Sequence, residues 1–393
     1  MLTMQRPVTL LLNIAHALDH LFLLVFATAV AAIARDFEFA HWEDLRPYGA
    51  GAFVMFGLGS LPAGRLGDHW GRRQMMVVFF FGMGASALLV ALTQNAWQLA
   101  AALTLLGAFA SIYHPVGIPM LVQKSPNPGA AIGVNGLAGN LGIAAAALLT
   151  GFLVASIGWR AAFAVPGVVC LALGVLFMRV APHETEPPSA RSRKTAVPLT
   201  RAQLARVLAV MTLASASGGL IFNLTTNGNG QLLVERFRGL VEDPATLGML
   251  LAAVYAVASL AQLVVGRLID RYPLKPLWVG IVLMQVPMLY AAAHAQGWWL
   301  FASLLGTMAF VFGAIPFTDA TIVRFVDDRM RSRVAGMRLA ISLGISSAAV
   351  WALGPAVKAA GFGTLFAVMS GVALLTATLV LWMPSERKTL NQT

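Results

Sequence analysis

His16, Asp19 and His20 lie within one uninterrupted apolar run near residues 8–34. An ionisable side chain at membrane depth costs about 2.5–3.5 kcal/mol on insertion scales, so each one is a candidate functional group. Asp19 is about eleven residues into the run, or about 16 Å at 1.5 Å per residue, which is close to a bilayer midplane. At 100° per residue, Asn13, His16, Asp19 and His20 fall within an arc of about 120° and share one helix face. A carboxylate at that depth is costly while charged and can be neutralised by a proton. A group that takes up and releases a proton there can couple movement of a solute to a proton gradient, with His16 and His20 tuning it. The structural alternative is that these side chains only hydrogen-bond between helices.

Other polar residues in apolar runs extend the candidate set. His114 and Asp319 fall in the fourth and tenth runs at similar depth above the inner surface, which predicts a proton or substrate relay. Pro115 and Pro316 beside them predict local breaks that free backbone carbonyls. Tyr113, Asn135, Asn140, Asn223 and Asn227 supply neutral hydrogen-bonding groups for a substrate cavity. Asn223 and Asn227 belong to a polar, glycine-rich stretch, Asn223–Gln231, which predicts a broken helix lining a cavity. No Lys or Arg is expected near the midplane, which favours neutral, cationic or weakly anionic substrates. His16-x3-His20 also has the spacing of metal ligands on one helical turn, and Met284-x3-Met288 is a soft pair; imidazole suits zinc or copper, and thioether suits Cu(I). Import of a transition-metal ion or metal chelate is therefore the second reading, and a ligand-binding sensor that transports nothing is a third.

The elements that carry these residues are apolar almost throughout. Of 393 residues, 58% are hydrophobic and only 11% charged, against about 25% charged in ordinary soluble domains. Twelve apolar runs can be read, near 8–34, 48–66, 75–95, 97–121, 129–156, 161–181, 204–233, 246–266, 277–296, 298–322, 334–360 and 363–383. Segments this apolar must be helices, because lipid offers the backbone no hydrogen-bond partners. The expected organisation is a six-helix bundle over 1–181, a cytoplasmic Pro/Ser/Arg-rich linker over 182–203, and a second six-helix bundle over 204–393. With both termini cytoplasmic, 21 of the 27 Lys and Arg fall on the inner side, as the positive-inside rule requires. The net charge of +11 is therefore read as topology and not as a nucleic-acid footprint. The first run, holding His16, Asp19 and His20, is too long for the core of a cleaved signal peptide. Trp42, Trp298 and Trp299 fall at predicted interfaces as belt anchors. A nucleotide-binding glycine loop, a cysteine cluster and a soluble domain are all missing, so an enzyme is not expected.

The two halves repeat. Gly64-Arg-Leu-Gly-Asp68 recurs as Gly266-Arg-Leu-Ile-Asp270, and Gly158–Val165 recurs as Gly361–Val368 at nearly the same offset. The loop continues His69-Trp-Gly71-Arg72-Arg73, and as a whole it resembles the signature loop of the major facilitator superfamily. Only His69 departs from it, where Arg or Lys is usual. The resemblance covers essentially the whole chain and implies an all-α integral membrane protein of twelve transmembrane helices in two repeat-related bundles, working by alternating access. It also implies that Asp68 packs on the N-terminus of span 11, where a helix dipole stabilises an anion, so that Gly64, Asp68, Gly71, Arg72, Arg73 and, by the repeat, Asp270 form a conformational latch. His16–His20 together with Ser111–Pro115 is similar to the fosmidomycin-resistance-type branch of facilitator exporters. Gly139-Asn-Leu-Gly142 has the glycine rhythm of the antiporter signature in span 5 but lacks its Gly-Pro.

The expectation is a secondary active transporter in a bacterial inner membrane, exporting a small organic molecule in exchange for protons. No cofactor is expected beyond the proton gradient, no nucleic acid is a partner, and the chain is expected to act as a monomer.

Overall fold

The computed structural model describes residues 2–40, 42–123, 125–185, 187–188, 199–242 and 244–384. Among them every regular element is helical. Among the described residues, ten helices are long and apolar enough to cross a membrane. Much of the linker expected over 182–203 falls on residues 186 and 189–198, which lie outside the described residues.

The chain divides into two compact units. The first comprises Met1–Ser125, Ala138–Lys194 and Asp327–Ala340; the second comprises Pro126–Leu137, Thr195–Val326 and Ile341–Thr393.

The first unit opens with α1 (Leu2–Asp36), 35 residues long, with Asp19 at its centre. The expected second span is divided at Gly59 into α2 (Ala50–Leu58) and α3 (Ser60–His69). Gly71, at φ 112, turns the chain into α4 (Arg72–Ala91), a conformation that costs a residue with a side chain. The Asn95 side chain accepts from the backbone N–H groups of Trp97 and Gln98 and so starts α5 (Ala96–Ala110). A single π-helical turn follows over Tyr113–Gly117, then α6 (Ile118–Val122). Pro115 lies inside that turn and has no N–H to donate, the disruption expected from its sequence position. The unit also takes most of α7 (Pro128–Ser156) and all of α8 (Trp159–Val180). Its interior is aromatic: Phe79, Phe80, Phe163 and Phe177 are all wholly buried.

The second unit holds α9 (Arg201–Arg236), α10 (Pro244–Arg271), α11 (Leu274–His294), α12 (Gly297–Ala314) and α13 (Pro316–Phe325), with most of α14 (Arg331–Leu381). A reciprocal capping box of Thr200 and Gln203 starts α9. The tenth span is interrupted at Ile315, just before Pro316. Gly361, at φ 75, breaks α14 where the eleventh and twelfth spans were expected to meet.

The broken helix predicted around Asn223–Gln231 is not found, because α9 runs through it without interruption. The side chains feed the helix instead of opening it. Thr225 and Thr226 each donate to the carbonyl four residues back, at 2.8 and 2.7 Å, and Asn223 donates to Gly219 O at 2.9 Å. Polar groups that bond back to i−4 carbonyls remain compatible with a helix at membrane depth.

Candidate functional site

Asp19 is 0% exposed and its two carboxylate oxygens accept no hydrogen bond. His114 approaches it, with Nε2 3.6 Å from Asp19 Oδ2. Helical periodicity puts His16 and His20 one turn apart, and their Nε2 atoms are 3.1 Å apart. The π-helical turn delivers the remaining rings. Tyr113 stacks on His16 with ring centres 4.7 Å apart and planes at 15°, while His114 meets His16 edge-on at 4.9 Å. The Tyr113 hydroxyl donates to Leu12 O at 2.8 Å, which ties that turn to α1.

Glycines on α7 allow α1 to come close. A Cβ at Gly139 would lie 2.6 Å from the His16 ring, and one at Gly142 would strike Ala17 O. Three imidazoles and a carboxylate therefore cluster at the centre of α1. Such a set can hold a proton, pass it between rings, or ligate a cation.

A second constellation surrounds Asp68. Its carboxylate accepts from Ser332 N–H at 3.3 Å and Arg333 N–H at 2.9 Å, in the first turn of α14. An anion there satisfies orphan donors and complements the helix dipole. Burial raises the Asp68 pKa, and the Arg333 backbone N–H, the Arg72 charge and the Ser332 contacts partly offset this. Arg72 is wholly buried; it donates to Asp328 Oδ1 at 2.8 Å, to Asp328 O at 2.6 Å and to Ser332 Oγ at 3.2 Å. A Cβ on Gly64 would strike Ser332 O, so the glycine is what allows the two backbones to meet. Arg73 closes the C-terminal end of α8, donating to Met178 O and Ala181 O, and its own N–H is capped by Glu184. In the second unit Asp270 repeats the capping, accepting from Gly129 N–H at 2.7 Å and Ala130 N–H at 2.8 Å at the start of α7.

The family model of the Major Facilitator Superfamily matches residues 12–240, more than half of the chain. The chain belongs to the Major Facilitator Superfamily. The "Multidrug resistance protein MdtG" of Dickeya zeae (strain Ech586) is 26% identical over 341 residues, covering 83% of this chain and 80% of that protein. The protein of the same name from Serratia proteamaculans (strain 568) is 25% identical over 340 residues, with the same coverage. Among solved structures, the human organic anion transporter MFSD10 (TETRAN) matches with a TM-score of 0.77 at 16% identity, covering 96% of this chain and 99% of that one. The proton:xylose symporter XylE matches with a TM-score of 0.79 at 13% identity, covering 98% and 96%. At these identities the structures share the fold. A facilitator is a transporter and not an enzyme, and this one is a multi-pass membrane protein.

The remaining candidates of this facilitator are dispersed. Asp319 is 8% exposed on α13 in the second unit, while His114 belongs to the first. Asn135 is 1% exposed and is grouped with the second unit, where Gly136 packs on Gln262. Asn140 is on α7 in the first unit, with its Nδ2 buried. Asn13 shares the α1 face that the sequence assigned to it, and the Asn227 side chain lies outside the described residues. Met284 is exposed and Met288 packs its sulfur on Gly306, both in the second unit; the described metal-competent group is His16, His20 and His114.

One buried cation was missing from the sequence candidates. Arg338, on α14, is 4% exposed in the first unit, and its charge reaches the His114 ring. It lies seven residues beyond Arg331, about 10 Å along the helix, so a fixed cation does exist at depth. Its place inside the predicted span 334–360 was the available signal.

Proposed function

We propose that this facilitator exports a small organic molecule from the bacterial cytoplasm in exchange for protons, with Asp19 as the coupling residue. One observation carries the reading: a carboxylate at the centre of α1 that is wholly buried and accepts no hydrogen bond, with an imidazole 3.6 Å away. A charged group is not kept in such a place for stability, since it costs more than an apolar residue of the same size. His114 on the π-helical turn lies 3.6 Å from Asp19, and His16 and His20 on α1 both meet the His114 ring edge-on. The imidazoles provide stations for a proton on its way to and from the carboxylate. The amides Asn13 and Asn140, in the same unit as Asp19, provide contacts for the solute. The multidrug names of the relatives favour export over uptake. Both termini are placed in the cytoplasm by the distribution of Lys and Arg, and the working unit is the monomer.

Alternating access requires two gates, and the Asp68–Arg72–Asp328 set is the cytoplasmic one. Breaking the cap on α14 and the Arg72–Asp328 pair opens that side, and re-forming them closes it.

Everted membrane vesicles with an imposed pH gradient test the reading, using wild type and the Asp19→Asn variant against lipophilic cations, phosphonate antibiotics, sugars, and copper and zinc salts. Collapse of the gradient by an organic compound in wild type and not in the variant is the expected result. An organic compound that collapses the gradient equally in both removes Asp19 from the coupling. Silence from every organic compound, with metal movement that depends on His16 and His20, replaces the reading with metal transport.

A further inference from the structure

We infer that His16, His20 and His114 form a site for one borderline divalent metal ion, with zinc as the best fit, and that Asp19 supplies its anionic partner. One ligand nitrogen from each of the three rings lies within 4.8 Å of the other two. The His16 and His20 Nε2 atoms are 3.1 Å apart, whereas two nitrogens on a tetrahedral zinc, each at about 2.0–2.1 Å from the ion, are about 3.3 Å apart. One edge of the coordination figure is thus already formed. His114 must move inward by a rotation of its side chain, and it sits on a π-helical turn, a feature frequent at functional sites.

A second observation is independent of the rings. Asp19 is fully buried, both oxygens are without hydrogen bonds, and Oδ2 lies beside His114 Nε2. A metal ion between the rings gives that carboxylate a ligand to bind or an N–H to accept from, which are the two roles carboxylates play at histidine metal sites. Three imidazoles and one carboxylate select a borderline ion over calcium or magnesium, which prefer oxygen. His20 and His114 each keep a small exposed fraction.

This site goes beyond the transport reading and does not depend on it, because binding is read without a gradient or a solute. The full-length protein, purified without a polyhistidine tag and placed in lipid nanodiscs, is titrated with Co2+ and then with Zn2+. The expected result is one Co2+ per chain with the intense visible absorption of a tetrahedral ion, displaced by one Zn2+. His114→Ala and His16→Ala are each expected to weaken binding by more than about ten-fold. His294→Ala, in the second unit, leaves it unchanged. Wild-type protein that gives only the weak spectrum of hydrated Co2+ overturns the inference, and so does a site that survives His114→Ala. If His114→Ala fails to fold by circular dichroism, His114→Gln and Asp19→Asn replace it, and undiminished binding in both overturns the inference equally.

Discussion

Asp68 and Asp270, 202 positions apart in the sequence, perform the same task in their separate units. Each carboxylate accepts two consecutive backbone N–H groups at the start of a long helix, α14 for Asp68 and α7 for Asp270. The duplication has kept the cap and changed what surrounds it. Asp68 is wholly buried beside Arg72, whereas Asp270 is half-buried and the residue 202 positions after Arg72 is the apolar Leu274. The second basic residue is retained in kind: Arg73 closes the end of α8, and Lys275 donates to Met383 O at 2.8 Å, just beyond the end of α14.

The unequal surroundings make a mutational prediction. Asp68→Asn removes charge from two hydrogen bonds, and bonds to a charged group are worth about 1.5–3 kcal/mol each. Every 1.4 kcal/mol is a factor of ten in a population, so the open cytoplasmic state gains about ten-fold or more. In a Cys170→Ser background, thiol labelling of Ser332→Cys should accelerate accordingly. Asp270→Asn should give a smaller change at a matched reporter on α7. Equal labelling with and without Asp68→Asn would remove the gate assignment.

The pH dependence of the same site has a definite sign. Burial raises the Asp68 pKa, so the folded protein holds a proton there that the unfolded chain releases at a lower pH. Its contribution to stability is full in acid and is lost as pH rises through the raised value. The melting temperature of wild type relative to Asp68→Asn should therefore fall between the ordinary aspartate range and that value. Arg72→Gln removes a charge that holds the pKa down, so it should shift the window further upward. A difference that grows with pH would show that the hydrogen bonds outweigh burial.

Helix packing around the histidines predicts a strong contrast between glycines. A Cβ at Gly142 strikes Ala17 O, while one at Gly371 meets nothing within 4 Å. Gly142→Ala should cost about 1–3 kcal/mol, the usual penalty of overpacking. Gly371→Ala should stabilise by about 0.5–1 kcal/mol, the helical preference of alanine over glycine. Thermal melts in one detergent separate the two, and similar melting temperatures would refute the close approach of α1 and α7.

Tyr113 makes two contacts that can be separated. Tyr113→Phe keeps the ring stacked on His16 and removes the hydroxyl that donates to Leu12 O. It should cost about 0.5–1.5 kcal/mol, with proton coupling intact. Tyr113→Ala also removes the buried ring and should cost about 3–5 kcal/mol. Loss of coupling in Tyr113→Phe would make the hydroxyl part of the proton route.

Much of this protein was legible in its residues alone. Apolar runs without an alternating pattern left helices as the only way to satisfy the backbone in lipid, and the duplicated Gly-x3-Asp turns exposed the repeat. The loop Gly64–Arg73 pointed to the family, and helical periodicity put His16, Asp19 and His20 on one face. These are local properties, fixed by spacing along a single helix. Tertiary structure decided which faces meet. It brought His114, about a hundred residues away in sequence, to 3.6 Å from Asp19, through a turn that Pro115 announced without revealing its partner. It gave Asp68 its partners Ser332 and Arg333, kept α9 continuous through its polar stretch, and buried Arg338. A helix announces its own face through its period, but the partner of that face depends on packing between distant segments, which no single stretch of the chain contains.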